Sequence, residues 1–390
     1  MKGALSWPFL RLYLLTLLYF SANSILNVII PLKGESLGAS NSTIGIVMGA
    51  YLLTTMFLRP WAGQVIHQLG PVKVLRVILV INALALSLYT FTGLGGYFFA
   101  RMLQGICTAF FSMSLQLGII DALPQKERSQ GISMYSLCAS MPGVLGPLLA
   151  VNIWETGNMN VFTAVIVGMA VLTGAVGFSA TVKTAADNRP KAHKTSMRGS
   201  FNQLITNPHL FRCSILMLGA SIIFGAVTVF IPLYAAQNDH GSAAVYLMLQ
   251  AGMIVAARFF LRKKIPSDGR WHPAFVTGII LAITVASLFT GLSSSMGGFV
   301  VFYCGALFMG LAQAMLYPTL TTYLTFVLPE INRNVLIGLF IAMADLGVSL
   351  GGVIMGPVVD WLSYAGMYFV CAVLGGGLLL VIYGPQRQRY

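Results

Sequence analysis

The chain has 390 residues, 57% of them hydrophobic and only 8% charged, with a formal net charge of +13. A soluble globular domain carries roughly 25% charged residues, so this composition excludes one. The basic excess fits the positive-inside pattern of a membrane protein better than a nucleic-acid surface.

In chain order, apolar spans are predicted at 9–32, 43–66, 73–93, 97–121, 131–153 and 160–182, then at 209–235, 243–261, 273–292, 297–325, 335–359 and 364–383. Most reach the roughly 20 residues that cross a bilayer core. Lipid satisfies no backbone polar group, so each must be a helix. The first span follows Lys2 and Arg11 and has no small-residue cleavage site after it, so it is expected to be helix 1 and not a signal peptide. The predicted class is an all-α membrane protein with twelve transmembrane helices in two pseudo-symmetric six-helix halves. The halves are 1–182 and 209–390, joined by a basic cytoplasmic linker at 183–208.

Positive charge clusters in alternate connections, at Lys73/Arg76, Lys126/Arg128, Lys183 to Arg198, Arg262 to Arg270, Arg333 and Arg387/Arg389. That places both termini in the cytoplasm of a multi-pass protein of the cell membrane. Only Lys33 and Arg101 fall in the predicted outer half. A repeat appears at an offset of 205: Leu123-Pro124 and Arg128 match Leu328-Pro329 and Arg333, and Gly105 and Ala109 match Gly310 and Ala314. Parallel repeats of this kind belong to two-domain rocking transporters.

Ionisable groups inside the hydrocarbon are costly and are functional candidates. Asp345, ten residues into helix 11, is the only acid deep within a predicted span. It is the candidate proton carrier, against a plain role as a structural clasp. Arg101, near the start of helix 4, either anchors an anionic group and couples the proton or snorkels to the outer headgroups. Arg258 in helix 8 either meets Asp345 or the substrate, or snorkels inward. Helix 1 sets Tyr19, Asn23 and Asn27 on one face at i, i+4, i+8, and helix 4 continues below Arg101 with Gln104, Thr108, Ser112 and Gln116. The larger amides Asn23, Asn27, Gln116 and Gln313 are assigned to the cavity, with Tyr51, Gln250 and Tyr317 as weaker members. The hydroxyl residues are left to helix–helix hydrogen bonding.

Three stretches resemble the major facilitator family. Gly63-Gln-Val-Ile-His67-Gln-Leu-Gly70 resembles its cytoplasmic loop between helices 2 and 3, with His67 where an Asp normally stands. That departure puts the family's Asp-centred latch in doubt, with Arg59, Arg76 and Asp121 as possible substitutes. Arg101-Met-Leu-Gln104-Gly105 resembles the motif whose Arg the family links to proton coupling. Gly143-Val-Leu-Gly146-Pro147 resembles the helix 5 motif of proton-exchanging exporters, a bendable hinge in physical terms. Phe20 to Pro31, Gly45 to Tyr51, Arg59 to Gly63 and Phe111 to Pro124 resemble the staphylopine-type metallophore exporters within that family.

The resemblance implies a proton-coupled antiporter that expels a small zwitterionic or anionic metabolite, an opine-type metallophore, by alternating access. It would act as a monomer in the lipid bilayer, with protons and the small molecule as its partners. The rival is broad multidrug efflux, which calls for a carboxylate in helix 1 where this chain has Asn23 and Asn27. An enzyme is not expected: there is no Gly-x-Ser-x-Gly, His-Glu-x-x-His or phosphate-cradling loop. No metal is expected, because the five His and five Cys show no ligand spacing, no cofactor is expected of transport driven by a proton gradient, and no nucleic acid is expected because the basic excess follows the positive-inside pattern.

Overall fold

The computed structural model describes residues 6–124, 127–180, 204–237, 241–261, 264–266, 268–296, 298–329 and 333–383. The linker predicted at 183–208 therefore lies almost wholly outside the described residues. Among the described residues there are thirteen long helices and no strand. They are α1 (Trp7–Ser36), α2 (Asn41–Leu69), α3 (Pro71–Phe91), α4 (Leu94–Ala122), α5 (Arg128–Ser140), α6 (Pro142–Glu155) and α7 (Met159–Ser179). Then come α8 (Pro208–Gln237), α9 (Ala243–Phe260), α10 (Pro273–Met296), α11 (Gly298–Val327), α12 (Arg333–Trp361) and α13 (Tyr364–Ile382). Counting Gln130–Glu155 as one span, twelve segments are long and apolar enough to cross a membrane.

The fifth span, expected at 131–153, is one apolar segment, Gln130–Glu155, built from two helices and not one. Its helix breaks at Met141, immediately before Pro142, whose ring cannot continue an i→i−4 ladder. Val144 N–H donates instead to the Met141 carbonyl three residues back, at 3.0 Å. The expected hinge, Gly143 to Pro147, is continuous helix within α6. There Gly146 packs on Ser24 of α1 so closely that a Cβ would overlap the Ser24 side chain, and the Ser24 hydroxyl donates to the Pro142 carbonyl at 2.9 Å.

The chain divides into two compact units, the first comprising 1–34 and 50–191, the second 35–49 and 192–390. In the first, Leu12, Leu15, Ile66, Leu75, Ile78, Leu79, Leu115 and Ile119 form one apolar core. Tyr19 stacks on Phe111 within it, ring centroids 3.8 Å apart.

In the second unit, α8 and α12 approach through small residues: a Cβ on Gly225 would overlap the Val348 backbone, and one on Gly351 the Ile222 carbonyl. Without a hydrophobic drive between lipid-facing helices, such close packing carries their association. The segment 35–49 is secured to the end of α12. Asp360 accepts from Asn41 N–H at 3.0 Å, Asn41 Nδ2 at 2.9 Å, Ser42 N–H at 3.0 Å and the Ser42 hydroxyl at 2.5 Å. A carboxylate at a helix N-terminus meets both the free N–H groups and the positive end of the dipole.

The internal repeat also shows in the long helices. Helices α1 and α8 both have 30 residues and carry Pro31 and Pro232 one to two turns from their ends, each within an Ile-Pro-Leu sequence.

Candidate functional site

The first unit buries a charge. Arg101, two turns into α4, has 0% exposed surface, which rules out the snorkelling alternative. Its Nη1 donates to Asn23 Oδ1 and its Nη2 to Asn27 Oδ1, both at 2.7 Å. Helical spacing produces this fork: residues four apart on α1 stand one turn above each other, and a planar guanidinium bridges them with two parallel bonds. The guanidinium carbon lies 5.3 Å from the centre of the Tyr51 ring on α2, within cation–π range.

Hydroxyls and amides extend the cluster. The Tyr51 and Tyr19 hydroxyls both bond Thr108 Oγ1 at 2.9 Å, so one threonine two turns below Arg101 fixes two aromatic rings. The Tyr89 hydroxyl of α3 donates to Gln104 Oε1 at 2.6 Å. Close helix contact makes this possible: a Cβ on Gly105 would overlap the Tyr51 carbonyl, so a glycine there brings α2 and α4 to backbone distance. The neutral amide oxygens hold the guanidinium without cancelling its charge. The arrangement fixes a buried cation in place among uncharged side chains.

The second unit repeats the plan with different side chains. A Cβ on Gly310, 205 residues after Gly105, would overlap the Gln250 carbonyl, as one on Gly105 would overlap that of Tyr51. Three residues further on, Gln313 Oε1 accepts from Gln250 Nε2 at 3.0 Å, where Thr108 meets Tyr51. Tyr317 stacks on Phe340 at 6.0 Å between centroids.

Residues 12–330 match the profile of the Major Facilitator Superfamily. The chain belongs to that superfamily. Among curated relatives, it is 53% identical over 377 residues to the Staphylopine export protein of Staphylococcus aureus, covering 96% of this chain and 95% of that one. Solved superfamily folds align along the whole length at low identity. The nucleoside transporter NupG gives a TM-score of 0.77 at 14% identity, covering 97% of this chain and 98% of that one. The human organic anion transporter MFSD10 gives 0.71 at 15%, covering 96% and 98%. The superfamily's members and this chain's relatives are transporters, not enzymes.

As a superfamily transporter, the chain brings Asn23, Asn27, Tyr51 and Arg101 together as one site. Asn23 and Asn27 are engaged by the arginine itself, so their first role is to hold it. Gln116 is not part of this site: it hydrogen-bonds Tyr135 of α5, with Arg59 electrostatically close to the same tyrosine. Fifteen residues separate Gln116 from Arg101 along α4, about 22 Å at the helical rise. Asp345 is half-buried in α12, next but one to Gly347, where a Cβ would come 2.5 Å from the Leu218 carbonyl of α8. Arg258 is an exposed residue of α9 that interacts electrostatically with Tyr317.

Gly70 adopts φ +84°, a left-handed turn between α2 and α3, whereas Gly63 is helical. The side chains of His67 and Asp121 lie outside the described residues, and so does any latch built on them. Tyr89 and Thr108 were missed as site residues. Thr108 had a signal, sitting seven residues from Arg101 on one helical face; Tyr89 had none, because only the packing of α3 on α4 brings it there.

Proposed function

We propose that this transporter exports staphylopine, or a closely similar zwitterionic opine carrying carboxylates, across the cell membrane in exchange for protons. The observation that carries the reading is the buried Arg101, gripped by the neutral amide oxygens of Asn23 and Asn27 and faced by Tyr51. A desolvated guanidinium held by uncharged groups attracts a carboxylate more strongly than an exposed one would. The extended identity to a staphylopine exporter supports the substrate. The lone acid found deep in a predicted span, Asp345, is the proton carrier, and both termini face the cytoplasm as the positive-inside rule directs. Within the span, helix 1 carries Asn23 and Asn27 where a lipophilic cation would call for a carboxylate, and its one acid, Glu35, stands in the last turn, which speaks against multidrug efflux.

The test is uptake of staphylopine into proteoliposomes under an imposed pH gradient. The intact protein accumulates it only with the gradient, and an excess of tetraphenylphosphonium leaves the rate unchanged. Replacing Asp345 with Asn abolishes gradient-driven accumulation while the protein stays folded. Accumulation that ignores the gradient, or full activity in the Asn variant, would sink the proton mechanism. Competition by the cation would favour the multidrug reading.

A further inference from the structure

Gln250 of α9 is 7% exposed. Its Nε2 donates to Gln313 Oε1 at 3.0 Å, and its Oε1, also buried, accepts no hydrogen bond among the described residues. A buried acceptor without a donor is costly, and native interiors seldom retain one except where a ligand or water completes it. In lipid the cost is higher because no bulk water is at hand. Gln250 cannot swing away to find a donor: its own backbone carbonyl is pressed against Gly310, and its amide is tied to α11 through Gln313.

Gly310 answers Gly105 at the offset of 205, and the Gln250–Gln313 pair stands where Tyr51 and Thr108 stand in the first unit. There the residue beside the glycine contact presents a ring face to Arg101. In the second unit it presents a carbonyl-type acceptor instead.

We propose that Gln250 Oε1 is a recognition point of the second unit for an N–H donor of the transported molecule, an ammonium or ring N–H, with Gln313 as the positioning residue that orients it. This rests on the reading of the protein as an exporter of a zwitterionic metabolite. Such a molecule carries N–H groups as well as carboxylates, and an amide oxygen accepts a hydrogen bond from the former.

The experiment measures staphylopine uptake by the full-length protein and its Gln250→Leu and Gln250→Glu variants. Loss of this hydrogen bond is expected to raise KM roughly fivefold or more in Gln250→Leu, with kcat little changed. Gln250→Glu keeps an oxygen acceptor in either protonation state and should hold KM within about threefold, the error expected of a retained hydrogen bond. An unchanged KM in the Leu variant overturns the proposal. So does an equal loss in both variants, which would mean that the pair offers its NH2 group.

A second measurement needs no substrate. The melting temperature of Gln250→Leu/Gln313→Leu should equal or exceed that of the intact protein, because the unmet acceptor is removed along with the pair. A fall of several degrees would mark a fully satisfied structural clasp and overturn the proposal. If the intact protein moves no staphylopine, the functional reading fails, and the recognition point is then decided by this melting temperature alone.

Discussion

Arg101 shows how one residue's role depends on what surrounds it. Hydrogen bonds to charged groups contribute roughly 1.5–3 kcal/mol each, and stripping a partner from a buried charge costs more than the bond. Asn23→Ala and Asn27→Ala should therefore each lower the melting temperature by several degrees and weaken staphylopine uptake. Asn23→Asp should separate stability from function. A carboxylate strengthens the fork on Arg101 and keeps the fold, but it neutralises the cation and so should raise the KM for an anionic substrate at least tenfold. An Asp variant that melts lower yet transports normally would refute the anion-anchor role. Arg101→Ala should impair transport more than Arg101→Lys, because a lysine keeps the charge but loses the fork.

At the scale of elements, glycine contacts and a proline break set the geometry. Gly105→Ala and Gly310→Ala each push a methyl into a facing backbone carbonyl. Overpacking costs about 1–3 kcal/mol, so both should melt several degrees lower, and the former should also weaken uptake by shifting Tyr51 from beneath Arg101. Unchanged melting would show that the helices have slack at these crossings. Helix breakage at Met141 predicts that Pro142→Ala, which restores a ladder donor, slows turnover more than Pro147→Ala, since Pro147 already sits within continuous helix. Equal turnover in the two variants would remove the hinge from Pro142. The motif Gly143 to Pro147 was legible as unusual, but a proline five residues past the start of a helix and one at its first position have different consequences, and only the observed helix start at Pro142 distinguishes them.

For the molecule as a whole, the charge distribution carries a topology that labelling can check. In a variant lacking the five native cysteines, Lys33→Cys should react with an impermeant maleimide added outside intact cells. Asp268→Cys, between α9 and α10, should react only in everted vesicles. The reverse pattern would invert the assignment of both termini to the cytoplasm.

Twelve spans, their class and the family resemblance were legible because a bilayer permits little besides helices and writes their length into uninterrupted apolar runs. The 205-residue repeat was legible because glycine spacing survives where side chains diverge. Candidate residues were legible as types: amides and charges are rare in lipid, so Asn23, Asn27, Arg101, Gln250 and Gln313 stood out. Their partners were not. That Arg101 would be bound by the two asparagines, that Gln116 would turn to Tyr135, and that Tyr89 and Thr108 would complete the cluster all depend on helix crossings several turns long. Periodicity assigns a residue to a face of its own helix; only the packing of one helix on another decides what that face meets.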